Sequence, residues 1–183
     1  MDRNNERSFV ARVYSDGKKM EFLQTSSDAN ILTTREGSGP PHAYDPISKK
    51  WVRVGRGPLK STLLVHLRCY DSHYQLQILG KNDTYLSADY DDILGAFSST
   101  QRDVTNFTLL NAEHQPITLD DLNYPQADIY LQTDNAGLIK QSLFEKWGYT
   151  YTCFTHTAGD LRLFNLDILQ RQVVTPDSPE QYD

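Results

Sequence analysis

The chain has 183 residues, eleven of them tyrosines, and a formal net charge of −6. That length suits one compact domain with a core of its own, and the acidic balance excludes a global field that would draw the protein to nucleic acid or an anionic membrane. An apolar share of 38%, below the usual ~45–50%, together with the abundant aromatics, points to a small, ring-heavy interior under a β-rich surface.

The opening MDRNNERSFVARVY holds no apolar run of the length a secretory signal needs, and no later stretch approaches the ~20 apolar residues of a membrane span. The expected setting is therefore soluble and cytoplasmic, or export without a cleaved signal peptide, with no membrane-spanning segment. FVARVY (9–14) is the first alternating, strand-like stretch, and MEFLQTSSDANILTT (20–34) reads as two short strands about a turn. GSGPPHAYDPISKKWVRVGRGPLK (37–60) is dense in proline and glycine and reads as a long inserted loop. LLVHL (63–67) and YQLQIL (74–79) alternate again, and DTYLSADYDDILGAF (83–97) is a second two-strand unit. NFTLL (106–110) follows as a strand and PITLDDL (116–122) as a weaker one, before DIYLQTDNAGLIKQS (128–142), the third two-strand unit. YTCF (151–154) is strand-like, LRLFNLDILQ (161–170) is a closing strand with a turn, and the acidic, proline-bearing tail 173–183 is expected to be flexible.

The three two-strand units share a pattern. Each begins with an aromatic-Leu pair, Phe22-Leu23, Tyr85-Leu86 or Tyr130-Leu131, and ends with an aliphatic pair, Ile31-Leu32, Ile93-Leu94 or Leu138-Ile139, across a run of turn-forming residues. Tyr85 follows Phe22 by 63 residues and Tyr130 follows Tyr85 by 45, so the first repeat carries the surplus, which the loop 37–60 absorbs. Four strands taken three times give twelve, in repeats of about 9–72, 73–115 and 116–170 within a single domain, 1–183. A short barrel capped by three hairpins is the closed solution, because closure removes exposed sheet edges. YLSAD (85–89) resembles the fascin-like, actin-crosslinking branch of the β-trefoil superfamily, with YLQTD (130–134) and FLQTS (22–26) as degenerate versions. The resemblance implies an all-β, twelve-strand β-trefoil; it speaks to architecture more than to activity.

The candidate chemistry is sparse. Cys69 and Cys153 read as buried free thiols, with one disulfide as the alternative. DYDD (89–92) suggests a calcium loop, but its counterparts SSDAN and TDNAG share turn propensity and not ligand count, so a solvated turn is expected. The histidines at 42, 66, 73, 114 and 156 have no zinc-like spacing, and His66 in LLVHLRC alternates toward a polar face. No nucleophile elbow, P-loop or dinucleotide fingerprint occurs. The expectation is a protein that is not an enzyme and has no metal or cofactor.

Two surfaces remain. Lys49, Lys50 and Arg53 surround Trp51 in a segment, 46–60, that lacks acidic residues; an exposed aromatic among cations suits a sugar ring, an anion or an acidic protein surface. The alternative is that Trp51 and Val52 merely anchor the loop. In the third repeat, LFEKWGYTY (143–151) offers Trp147, Tyr149 and Tyr151 as aromatic platforms, with Asp134 and Asn135 to receive hydroxyls; the alternative is that Trp147 simply closes the barrel bottom. The leading expectation is non-enzymatic, lectin-like carbohydrate binding through hairpin loops, although the QxW triplets of ricin-type lectins are missing. The alternative is a protein-protein module, a fascin-like actin binder or a loop-presenting protease inhibitor, that uses the basic 37–60 insert.

Overall fold

A computed structural model describes residues 3–22, 52–54, 63–88, 92–100, 103–134, 137–146 and 149–182. Apart from a single-turn helix, α1 (Arg3–Arg7), and short 3-10 turns, the regular structure there is all β. Six strands close into an antiparallel ring: β1 (Phe9–Ser15), β4 (Leu63–Tyr70), β5 (His73–Ile78), β8 (Phe107–Leu110), β10 (Gln126–Thr133) and β14 (Phe164–Arg171). Neighbours along the chain pair around it, and β14 returns to β1 with Phe9 opposite Arg171 and Ser15 opposite Phe164. Period-2 alternation builds this ring, since every second side chain of a strand faces one side. Phe9, Ala11 and Val13 enter the core with Leu63, Val65 and Leu67 from β4 and Leu76 and Ile78 from β5.

Three hairpins stand on the ring, each between two ring strands in the chain. They are β2 (Lys18–Phe22) with β3 (Val52–Val54), β6 (Thr84–Ala88) with β7 (Leu94–Ser98), and β11 (Lys140–Lys146) with β12 (Tyr149–Thr155). The second and third meet through a bridge between Ile93 and Thr155. β1 passes into β2 through a two-residue turn, Asp16-Gly17, with φ of 49° and 69°. Asp-Gly tolerates two successive positive φ angles, which matches the right-handed strand twist.

Several expectations shift in register. Tyr130-Leu131 does not open the third hairpin: both residues lie in ring strand β10, opposite Leu110 and Leu109. Leu138 and Ile139 fold back on that strand, with Gln132 bridged to Leu138 and the Ile139 amide donating to the Leu131 carbonyl at 2.8 Å. YTCF belongs to β12 of the hairpin, and the ring strand that follows it is β14, in the stretch read as a closing strand. An aromatic-Leu pair inside an alternating run fits a ring strand and a cap strand equally well, so the pair alone could not set the phase. Part of the expected insert loop is also a strand, because Val-Arg-Val at 52–54 alternates and pairs with Met20–Phe22. The Ile31-Leu32 pair lies outside the described residues.

PITLDDL supplies no ring strand. Pro116–Ile117 makes a short strand, β9, against β8, and Leu119–Asp121 is a 3-10 turn. Pro116 cannot donate to a ladder, and the Asp121 carboxylate accepts from the Thr118 amide at 2.8 Å, which favours a turn. The turn pushes Leu119 and Leu122 into the core at the end where β1 starts and β14 finishes. There the Leu119 amide donates to the buried Tyr74 hydroxyl at 3.0 Å, while Tyr74 meets Phe9 edge to face at 5.8 Å. Burial pushes the Tyr74 phenol up, so it stays protonated. Arg171 donates to the carbonyls of Leu119, Leu122 and Tyr124, and Arg7 pairs with Asp120 at 2.6 Å.

The acidic tail lies along the outer wall. The Val173 amide donates to the Ser8 carbonyl at 2.9 Å, Val173 is buried, and the 3-10 turn Pro179–Tyr182 brings the Tyr182 hydroxyl to Gln170 at 2.5 Å. His66 points outward, as alternation requires, and the tail covers it and leaves it 1% exposed. Its Nε2 donates to the Val173 carbonyl at 2.9 Å. Cys69 and Cys153 are free and buried, and burial pushes the Cys69 thiol up.

Two outcomes follow from this packing. Tyr74→Phe strips the Leu119 amide of its acceptor at a dry site, and urea unfolding should show a loss of about 1–3 kcal/mol. Burial, aided by Arg68, pushes the His66 pKa below 6.5, against the Val173 bond, which raises it. The unfolded chain therefore takes up the proton first, so the His66 contribution is full above about pH 6.5 and is lost as pH falls below it. Thermal melts between pH 7.5 and 5.5 should show a falling midpoint, with a shallower slope in His66→Gln; equal slopes would assign the pH dependence to other groups.

Candidate functional site

Ring register sets a row of polar side chains on the outer wall. Arg68 lies opposite Gln75 across β4 and β5. Tyr74 is opposite Phe107, and Phe107 is opposite Thr133. Because Tyr74 and Phe107 point inward, their neighbours Gln75 and Asn106 point outward, and Asp134 continues the row past the end of β10. Four strands thus present Arg68, Gln75, Asn106 and Asp134 side by side over roughly 14 Å, at about 4.8 Å per strand spacing.

Hydrogen bonding gives the row a direction. Gln75 Nε2 donates to Asn106 Oδ1 at 3.0 Å, and Asn106 Nδ2 donates to Asp134 Oδ2 at 2.9 Å. An ionised carboxylate only accepts, so Asp134 forces Asn106 to turn its NH2 toward it and its oxygen toward Gln75. Gln75 must then offer its own NH2. One carboxylate at the end of β10 therefore fixes the orientation of two amides on β5 and at the entry of β8.

At the other end, Arg68 is half-buried. Its Nη1 donates to the Tyr85 hydroxyl at 3.2 Å, and its guanidinium carbon lies 5.7 Å from the centre of the Tyr70 ring. Tyr70 is 40% exposed, a large fraction for a ring on a strand wall. The row therefore joins a cation set between two tyrosines, two oriented amides and a carboxylate, which together can receive a ligand bearing several oxygens.

Of the residues singled out in the sequence, Asp134 belongs to this row. Arg53 lies on β3 opposite Glu21, and Tyr149 lies on β12 opposite Lys146. Lys146 ends β11, which begins at Lys140, so six strand steps of about 3.3 Å put Tyr149 roughly 20 Å along the hairpin from its base. Lys49, Lys50, Trp51, Asn135 and Trp147 lie outside the described residues. Arg68, Tyr70, Gln75 and Asn106 were missed because they are unremarkable singly; the signal lay in the outward positions of LRCY, YQL and NFT, which only the register aligns.

Elsewhere, His156 Nε2 lies 3.8 Å from the Asp92 carboxylate, where the backbone of Asp92 has a φ of 59°. A Cβ on Gly137 would come within 2.6 Å of His156, so that glycine keeps the space the ring fills. Among the described residues no three His, Cys, Asp or Glu side chains converge as metal ligands, and no helix is long and apolar enough to cross a membrane. No protein-family model, curated protein or solved structure matches the chain.

The carboxylate's control of both amides is directly testable. In Asp134→Ala, the side-chain NH2 resonances of Asn106 and of Gln75, which does not touch Asp134, should both shift and exchange faster with solvent. A change confined to Asn106 would show that the row is not coupled.

Proposed function

We propose that the protein is a β-trefoil binding module of lectin-like type that recognises a carbohydrate without transforming it. The trefoil reading is supported by a six-strand ring in which each of three hairpins is inserted between two ring strands. The carbohydrate reading is carried by the outer-wall row of Arg68, Gln75, Asn106 and Asp134 beside the exposed Tyr70 ring. Vicinal sugar hydroxyls each donate and accept, so they suit a surface that alternates amide and carboxylate groups at strand spacing, while an aromatic ring meets the apolar face of a pyranose. Glycoside cleavage generally takes two carboxyl groups flanking the bond, whereas the row carries one carboxylate, Asp134, and its pre-set amides suit binding.

This reading moves the sugar site from the hairpin loops to the barrel wall and keeps Asp134 in it. A glycan array probed with the whole chain should show saturable binding, and Asn106→Ala, which removes the central link, should weaken it by roughly tenfold, as expected for lost hydrogen bonds of about 1.5 kcal/mol. Absence of binding across neutral and charged glycans would overturn the reading. Retention of full affinity by Asn106→Ala would move the site elsewhere.

A further inference from the structure

The arginines on and beside the ring divide into two kinds. Arg7 pairs with Asp120, Arg12 with Asp167 and Arg162 with Asp16, while Arg171 is spent on main-chain carbonyls. Arg68 has no carboxylate partner among the described residues: its contacts are the Tyr85 hydroxyl and the Tyr70 ring. Among the described residues, this half-buried guanidinium is held from two sides by tyrosines and met by no carboxylate, so it is oriented but not neutralised by them, and most of its five donors face no partner there. Its charge stands at one end of the row and the Asp134 carboxylate at the other.

Resting on the carbohydrate reading above, we infer that the ligand carries a single anionic group, a carboxylate or a sulfate monoester on a terminal sugar, which docks on Arg68 while its neutral hydroxyls run along Gln75 and Asn106 toward Asp134. The guanidinium fork matches both anions bidentately. Charge placement selects against a polyanion: a second negative group about three strand spacings from the first would face Asp134, where like charges repel. The same repulsion disfavours an acidic peptide with charges along its length. Tyr70 has a double part, since it orients Arg68 through its ring and leaves an exposed edge beside the docked sugar.

Calorimetric titration of the full chain separates these possibilities. The probes are a neutral oligosaccharide, the same oligosaccharide with one terminal uronate, the same with one terminal sulfate ester, heparin, and an acidic peptide. The inference expects the uronate or the sulfate form, or both, to bind roughly ten- to a hundredfold tighter than the neutral one, and Arg68→Gln to erase that preference, so that the anionic and neutral forms bind alike. Arg68→Lys should shrink the preference because the charge stays and the fork is lost; it also serves if Arg68→Gln does not give a cooperative thermal melt. Equal affinity for neutral and anionic forms, a preference that survives Arg68→Gln, or tightest binding to heparin or the peptide would overturn the inference while the broader reading is judged by whether any simple oligosaccharide binds. If none binds, the carbohydrate reading falls and this inference falls with it.

Discussion

Closure of the six-strand ring is the constraint from which the rest of the architecture follows. Once β14 pairs with β1, every ring strand has two neighbours and a fixed register, and each side chain is committed to the inside or the outside. A one-residue slip in any strand would bring polar residues such as Gln75 into the core and expel Tyr74 or Leu76. The large inward residues make such a slip costly, because burying an unpaired amide is unfavourable and a displaced ring leaves a void. The core thereby specifies the surface: Asn106 meets Gln75 because Phe107 meets Tyr74.

The two ends of the ring are managed differently. At one end stand the hairpins, of which β6/β7 and β11/β12 touch through Ile93 and Thr155. The other is closed by a turn of the chain, with Leu119 and Leu122 as its apolar face and Tyr74 and Arg171 taking up main-chain groups that insertion removes from water. A buried turn is tolerable only when its amides and carbonyls find partners. Arg171 meets that demand with one planar group over three carbonyls, and Tyr74 does so with a hydroxyl carried on an otherwise apolar side chain.

What the sequence disclosed depended on whether the information was local. FVARVY, LLVHL, YQLQIL and NFTLL announce ring strands because alternation over five or six residues is a local property, and β1, β4, β5 and β8 occupy those stretches. The phase of DIYLQTDNAGLIKQS was not local: Tyr130-Leu131 carries the same signature as Tyr85-Leu86, and only the pairing of β10 with β8 and β14 distinguishes a wall strand from a cap strand. His66 shows the same limit in reverse. Alternation placed it on the outer face correctly, but its burial depends on Val173, more than a hundred residues later in the chain. Asp134 was visible as an acid in a turn, whereas its partners were visible only once the register placed positions 75, 106 and 134 side by side.

The oriented amides give the outer wall a property that its shape alone would not have. Donors are passed in one sense from Gln75 to Asn106 to Asp134, with a cation before the first and an anion after the last. The surface therefore has a head and a foot. A linear molecule laid across the four strands and then turned end for end would present the same outline but the opposite sequence of polar groups, so the wall can tell the two directions apart without any steric feature to do so.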